Sequence, residues 1–431
     1  MSKVQLFITV LPLLGAVFSF VFRGQAEKMK IIALGTTLST LLALLVLLPG
    51  NVHFLIMPLM VFLPLSAALT LLASFSHEIT PGDLPILLIL LGLGLGYMMH
   101  DGEIGLSCLA GVLGIMIFLL SRQNRRSRFS GKWAIALYGL ALAALIASLI
   151  LSPSSGGAPL LITYAVLFPV FPFHGAYVVT SGHLRGVLSG FLFLFLPTLG
   201  FKGVLVILHE TPTVFIQGLM VFALIGALYG GIRALVQLNG SHRLAYSGFA
   251  FWSILWWFLA STGEETAPAV LYFCALALIM QGLFLSWRLL EARHGDLNLE
   301  KLGGLARVMP RFGVLLSLLI AAVMGLPLFG LFTALIEMVL SPAIQLSWSF
   351  AFILLAWFLA SWHFPVLMQQ ILFGQPKPGR MYRDLARSES LSLTLIVVMT
   401  LILGIAPYTL FGVGPFAKQA APITQASAKI K

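Results

Sequence analysis

Inside the apolar stretches of this sequence few side chains could do chemistry, and those few are proton-handling groups. Lys202 and Glu337 stand well within hydrophobic segments, and His174, His183 and His363 join them. An ionisable group in hydrocarbon is costly, so each is a candidate for function. Burial favours the neutral form of a lysine or carboxylate, which is what a proton relay at neutral pH requires. Each also has a plain structural reading. Lys202 can snorkel to the outer surface. Glu337 can sit neutral and hydrogen-bonded. His174 follows two prolines and can cap the carbonyls they free. His363 can be a packed core histidine. His100, Asp101 and Glu103 form a polar turn between two apolar runs, which is expected to reach water. Cys108 and Cys274 are far apart and fit neither a disulfide framework nor a ligand spacing. There is no phosphate loop, Cys/His cluster or nucleophile triad. The sequence therefore implies no cofactor, no metal and no redox centre of its own.

The elements that must position these groups are helices in a membrane. Of 431 residues, 59% are apolar and 9% are charged, against about 25% charged in an ordinary soluble protein. That excludes a soluble globular enzyme, a disordered chain and a disulfide scaffold. A spanning helix needs about 20 apolar residues. Fourteen apolar segments can be read, near 4–22, 29–48, 53–75, 84–100, 104–121, 133–152, 158–180, 185–208, 213–238, 244–261, 266–290, 312–341, 346–373 and 390–413. The expectation is an all-α, multi-pass membrane protein of about 14 transmembrane helices. The first segment lacks a basic leader and an A-x-A-like site, and a second span follows at once, so it reads as a permanent helix. Trp252, Trp256 and Trp257 lie in the tenth segment and read as interface anchors and lipid-facing bulk.

Orientation follows from lysine and arginine. Loops after odd-numbered segments hold Arg23, Lys28, Lys30, then Arg122, Arg125, Arg126, Arg128, Lys132, then Arg185 and Arg243, then Arg288, Arg293, Lys301, Arg307, Arg311, and finally Lys377, Arg380, Arg383 and Arg387. Loops after even-numbered segments hold Asp101, Glu103, Glu210, Glu264 and Glu265 instead. The positive-inside rule puts the basic loops in the cytoplasm and both termini outside, in a cell inner (cytoplasmic) membrane. The net charge of +11 is thus a topology signal and not a nucleic-acid signal.

Two segments carry helix breakers. The seventh contains Pro169-Val-Phe-Pro172-Phe-His174, and the twelfth contains Gly325-Leu-Pro327-Leu-Phe-Gly330. Proline removes a backbone donor and breaks or kinks a helix. Such breaks are tolerated only where they face protein or a wet cavity. Two broken spans five segments apart point to internal repeats with a transport site between them, or to two ordinary proline kinks.

These motifs resemble the proton-translocating, antiporter-like subunits of respiratory complex I, nearest the M type. That superfamily also includes Mrp-type sodium/proton antiporters, membrane hydrogenases and a membrane subunit of inorganic-carbon uptake complexes. Pro169-Val-Phe-Pro172-Phe-His174-Gly175 is similar to the family's P-x-x-P-x-H-x-W. His242-Arg243-Leu244-Ala245-Tyr246-Ser247 resembles K-R-L-I-A-Y-S, one residue short. Gly303-Gly304-Leu305 resembles its G-G-L, and Gly325-Leu-Pro327 with Gly330 and Phe332 its G-x-P-x-x-x-x-F. The resemblance covers roughly residues 84–413. It implies two inverted five-helix repeats (84–208 and 213–373), three preceding helices (1–83), and a last helix with a tail (390–431). It also implies other membrane subunits as partners.

The family's charged row is largely displaced. Its lysine before the first break falls at Leu167, and the next lysine falls at Thr198, four residues before Lys202. Four residues is about 400° of helix, so Lys202 keeps nearly the same face one turn on. The glutamate of the second break falls at Leu335, two residues before Glu337. A glutamate of the fifth span falls near Ser107 or Cys108, with Glu103 a turn earlier, and a histidine falls at Leu276. Three functions fit. The chain is a proton- or cation-conducting subunit working through Lys202 and Glu337, or a non-conducting scaffold, or the membrane partner of an inorganic-carbon uptake complex. The basic loops at 122–132, 288–311 and 377–387 either seat a peripheral soluble enzyme or serve topology alone.

Overall fold

Every one of the fourteen apolar segments is helical, and the two with helix breakers are split. The computed structural model describes residues 3–47, 55–74, 80, 82–100, 102–123, 130–151, 157–184, 186–208, 211–263, 266–295, 303–341, 344, 348–376 and 382–407. Three helices come first: α1 (Lys3–Val21), α2 (Ala26–Leu47) and α3 (Ile56–Ala73). Five segments follow: α4 (Asp83–Met99), α5 (Glu103–Gln123), α6 (Ser130–Ile150), the pair α7 (Gly157–Leu167) and α8 (Gly175–His183), and α9 (Gly186–Ile207). Five more repeat that order: α10 (Thr213–Val236), α11 (Gly240–Thr262), α12 (Ala267–His294), a one-turn α13 (Leu305–Val308), the pair α14 (Pro310–Val323) and α15 (Gly330–Val339), and α16 (Trp348–Leu372). The chain then runs through α17 (Arg387–Ile405). Each set of five has three unbroken helices, one broken and one unbroken. Five is odd, so the second set crosses in the opposite sense to the first, which makes the repeats inverted. Among the described helices, 11 are long and apolar enough to cross a membrane.

Hydrophobic patterning here sorts helices by depth within the bundle. Helix α12 is buried along its whole apolar span, and α9, α11 and α3 nearly so. The outer helices show apolar flanks, including Phe7, Phe18, Ile31, Val46, Ile150, Val214, Val236 and Phe358. In a bilayer such surface meets lipid or a neighbouring chain. The tryptophans of α11 therefore need correction. Trp252, Trp256 and Trp257 are buried, not lipid-facing. Their spacing of four and five sets them on the inner side of a central helix, where aromatic bulk fills space between three neighbours. His100 is likewise buried rather than water-facing, although Glu103 beyond it is exposed.

Polar ties cross the apolar core and join helices that are distant in sequence. Gln281 of α12 donates from Nε2 to the Ser66 carbonyl at 3.0 Å, Ser66 Oγ at 2.8 Å and Thr70 Oγ1 at 3.1 Å, which fixes α12 to α3. Ser392 of α17 donates to the Leu69 carbonyl at 2.8 Å. Arg293 of α12 pairs with Glu389 of α17, and Glu389 also accepts from the Ala386 N–H at 2.7 Å. Asp384, just before α17, accepts from the N–H groups of Arg311 and Phe312 at 3.0 and 3.2 Å, and so caps α14 across the fold.

Both breaks are pressed against glycines of a neighbouring helix. A methyl group at Gly200 of α9 would lie 2.4 Å from the Phe168 backbone nitrogen, and one at Gly404 of α17 would lie 2.1 Å from the Leu328 carbonyl oxygen. Real Cβ contacts do not approach so closely, so a larger residue must push the break away from its support. Gly404→Val is expected to destabilise the chain by about 2–4 kcal/mol, the overpacking range and slightly beyond. Gly114→Val on α5, where a methyl group meets nothing within 4 Å, should be near neutral. Thermal unfolding of the two variants in mild detergent checks this; equal midpoints would refute the assignment.

Candidate functional site

The first break begins where α7 ends at Leu167 and closes where α8 begins at Gly175. Pro169 is buried within it, Pro172 is exposed, and the Phe171–Pro172 peptide is cis. The Phe168 N–H still reaches the Tyr164 carbonyl at 2.7 Å, but the Phe168 carbonyl has left the helical ladder. Trp256 of α11 donates to it from Nε1 at 3.1 Å. The Phe168 ring then packs among Phe201, Trp252, Trp256 and Phe273, all at centroid separations of 5.3–6.0 Å. Phe201 and Phe273 stack at 4.3 Å. The centre of the first repeat is thus an aromatic plug built on the break.

Lys202 stands on α9 between Gly200 and Gly203, the two glycines that let α9 close on Phe168 and Tyr164. Its side chain is 3% exposed and its Nζ lies 4.6 Å from the centroid of Tyr97 on α4. A desolvated ammonium over an aromatic face gains about 2 kcal/mol. His174 occupies a different place. It stacks on Phe249 at 4.4 Å and on Phe171 at 5.9 Å, edge-on to Tyr229 at 5.3 Å, with Tyr246 at 6.3 Å. Arg233 of α10 lies over the Tyr246 ring at 5.4 Å. His174 Nδ1 is buried with no hydrogen-bond partner. His183, at the end of α8, turns Nδ1 to the Val179 carbonyl at 3.1 Å.

The remaining expected residues are dispersed. Glu337 is half-buried on α15, and Glu103 is exposed at the start of α5. His363 on α16 is completely buried, its ring tilted against Phe364 at 4.0 Å between centroids. Asp101 lies outside the described residues. At the second break, Gly325 has φ +75°, Leu328 has φ +80°, and Pro327 is exposed. Gly330 starts α15 against Leu403, and Thr333 donates to the Gly404 carbonyl at 2.9 Å. Lys202, His174, Glu337 and His363 therefore occupy four separate settings and not one row.

The positions where the resemblance implies charges are apolar or spent. Leu167 and Leu276 are buried, and Thr198 is buried with its hydroxyl donated to the Leu194 carbonyl of its own helix at 2.8 Å. Leu335 is half-buried. Sequence reasoning did not name Tyr97 or Tyr229, and it named Tyr246 and Trp256 in other roles, as a motif residue and as an interface anchor. The 252/256 spacing carried a signal for one of them, since four residues keep one helix face and an indole N–H on an inner face needs an acceptor.

The transmembrane family of NADH:quinone oxidoreductases and Mrp antiporters matches residues 109–361, more than half of the chain. The chain belongs to this family. Chain 4 of the NAD(P)H-quinone oxidoreductase of Synechococcus sp. (strain JA-2-3B'a(2-13)) is 28% identical over 270 residues, 58% of this chain and 50% of that one. The chain spans about half the length of the curated relatives it matches. A chain of respiratory complex I from Thermus thermophilus superposes with TM-score 0.78 at 18% identity, covering 95% of this chain and 97% of that one. A chain of the archaeal membrane-bound sulfane sulfur reductase gives TM-score 0.84 at 16% identity, covering 97% of this chain and 77% of that one. At such identities the likeness is one of fold. By family and by fold, then, this is an antiporter-like membrane subunit, and its first break is packed in aromatic residues.

Replacing one buried hydrogen-bond donor tests that centre. Trp256→Phe keeps the ring but strips the Phe168 carbonyl of its partner, and should cost about 1–3 kcal/mol. Trp257→Phe removes an indole N–H that has no hydrogen-bond partner and should cost clearly less. Detergent melting curves that show the reverse order would contradict the proposed support of the break.

Proposed function

We propose that the chain works as a membrane subunit of a complex I-like or Mrp-like assembly and takes part in moving protons, or another small cation, coupled to a partner subunit. The observation that carries this reading is Lys202, a lysine held 3% exposed beside the first break with its Nζ over Tyr97. A charge so placed is expensive, which gives its retention beside the break a functional reading. The two five-helix repeats, 84–208 and 213–373, act as the two halves around the broken helices, with 1–83 and 390–431 flanking them. The basic residues Arg122, Arg288, Arg293, Arg307, Arg311, Arg383 and Arg387 are consistent with one cytoplasmic end and with both termini on the outer side of the cytoplasmic membrane. Electrons, where the assembly moves them, pass through a partner. A peripheral soluble enzyme would dock at the basic end.

A second reading is favoured by a separate observation. The aromatic plug of Phe168, Phe201, Trp252, Trp256 and Phe273 fills the ground beside the first break with packed apolar surface. A subunit that only braces its neighbours would be built in this way.

Lys202→Met separates the two. On the conducting reading, proton uptake by vesicles holding the intact assembly should fall by about tenfold or more, as when a proton-transfer group is removed, while the assembly still purifies whole. On the bracing reading, uptake is unchanged and the subunit gains stability from losing a buried charge. Both readings expect other membrane subunits to copurify in mild detergent, and their identity distinguishes a quinone-reducing arm, antiporter subunits or an inorganic-carbon enzyme. Recovery of the chain as an active monomer would overturn both.

A further inference from the structure

The seam between the two repeats is not closed along its whole length. Helix α10 packs chiefly along α11 and α16, and α7 along α6 and α9. Between α7 and α10 this leaves a cavity of about 190 Å³. Its floor is Ala165 of α7, Val170 of the first break and Leu219 of α10, all buried. Its rim is Val214, Phe215 and Phe222 of α10, all exposed. The rim faces out of the bundle, so the cavity opens to the bilayer. At its inner end Phe171 and Phe222 meet at 6.4 Å between centroids, and Gly226 lies against Phe171. The break itself therefore closes the cavity towards the basic end.

Its lining and dimensions select the occupant. Every lining residue is apolar or glycine, so water would find no side-chain partner there. A void against packed side chains forfeits their dispersion contacts, and lipid tails are as apolar as leucine. From Val214 to Phe222 the cavity runs eight residues of α10, about 12 Å. One leaflet of a hydrocarbon core is about 15 Å deep, so the cavity follows one leaflet from near its surface to near the midplane. A volume of about 190 Å³ over that depth is about 16 Å² in section. A helix about 10 Å across needs about 80 Å², so a partner's helix cannot enter. The slot is also deeper than a single side chain reaches. A long, narrow, wholly apolar slot open to lipid fits one polymethylene chain.

We infer that this cavity binds one acyl chain of a phospholipid from the leaflet opposite Arg233. The chain enters beside Phe215 and ends against Val170 and Phe171 of the first break. It packs on the break there, while Gly200 of α9 supports the neighbouring backbone at Phe168. The site does not depend on whether the chain conducts. Gly218 lies in the wall of the slot, and a methyl group added to it meets nothing within 4 Å. A large side chain at position 218 would therefore fill the slot from within.

The test uses the full chain in its own assembly, reconstituted in phosphatidylethanolamine vesicles. A small share of the lipid carries a photoreactive diazirine at the end of one palmitoyl chain. After irradiation, the labelled residues are mapped by mass spectrometry. Val170 and Leu219 should be labelled although they are buried. A diazirine placed near the carboxyl end of the chain should shift the label towards Phe215. In Gly218→Phe the label on Val170 and Leu219 should fall about tenfold or more, because the filled slot leaves the chain no surface to contact. Gly139→Phe on α6, where an added methyl group also meets nothing within 4 Å, should leave it unchanged. Val170 and Leu219 unlabelled in the wild-type assembly, whether the slot is empty or holds a partner's side chains, overturns the site. So does a label that Gly218→Phe leaves in place, or one whose position ignores where the diazirine sits on the chain. If Gly218→Phe does not assemble, Gly218→Leu makes the same comparison with less bulk, and the wild-type map decides by itself.

Discussion

In hydrocarbon a backbone carbonyl or N–H without a partner costs several kcal/mol, and this bundle is organised around the two places where it breaks its own helices. At the first, the carbonyl of Phe168 is handed to Trp256 on α11. That single bond sets the rotation of α11, and with it the inward direction of Trp252 and the position of Phe249 under His174. At the second, Leu328, Phe329 and Gly330 are backed by Gly404 and Leu403 of α17, and Thr333 returns a bond to the Gly404 carbonyl. Helix α17 is therefore part of the machinery of the break. Its own position is held by Arg293–Glu389 and by Ser392 on α3.

The support of a break and the chemistry beside it are separable. The prolines, the glycines of α9 and α17 and the indole donor act on backbone. They work equally well with a charge or a leucine at the next position. Leu167, Thr198 and Leu276 can thus be apolar or self-satisfied without loss of the fold. Packed rings are a stable filling for the space, since offset and edge-on aromatic pairs add to simple burial. A lysine in such surroundings carries a desolvation cost that leucine does not, and at position 202 the Tyr97 ring offsets part of it.

Much of this was legible in the sequence. Hydropathy marked all fourteen segments, and the Pro169–His174 and Gly325–Gly330 runs marked both breaks, because a missing donor and a missing Cβ leave direct local signatures. What the sequence did not reveal were relations between distant residues. Trp252, Trp256 and Trp257 read as belt aromatics, because position near the end of a hydrophobic run says nothing about which side of a helix faces protein. Tyr97 as the seat of Lys202 depends on α4 lying beside α9, a contact that periodicity in an all-round apolar helix cannot predict. Likewise Arg243 resembled an ordinary basic loop residue, whereas it is buried in the first turn of α11 with Nη1 against Gln370 Oε1 of α16 at 3.4 Å. The candidate list named residue types able to handle a proton and carried no information on arrangement: the helices set Lys202 beside Tyr97, His174 beside Phe249 and His363 beside Phe364.

Depth explains the arrangement. Thr198 stands near the middle of α9, while Lys202 is four residues past it, about 6 Å further towards the end shared with Tyr97. Moving a cation from the midplane towards the interface reduces its desolvation cost and shortens its route to water. Arg243 and Gln370 lie at the opposite, basic end, with His363 reaching inwards from them. Polar groups thus enter the bundle from both ends, in different repeats, and the aromatic plug at Phe168 occupies the ground between. Rings packed at 5.3–6.0 Å between centroids leave little space for solvent, so the Phe168 carbonyl takes its hydrogen bond from the Trp256 indole rather than from water.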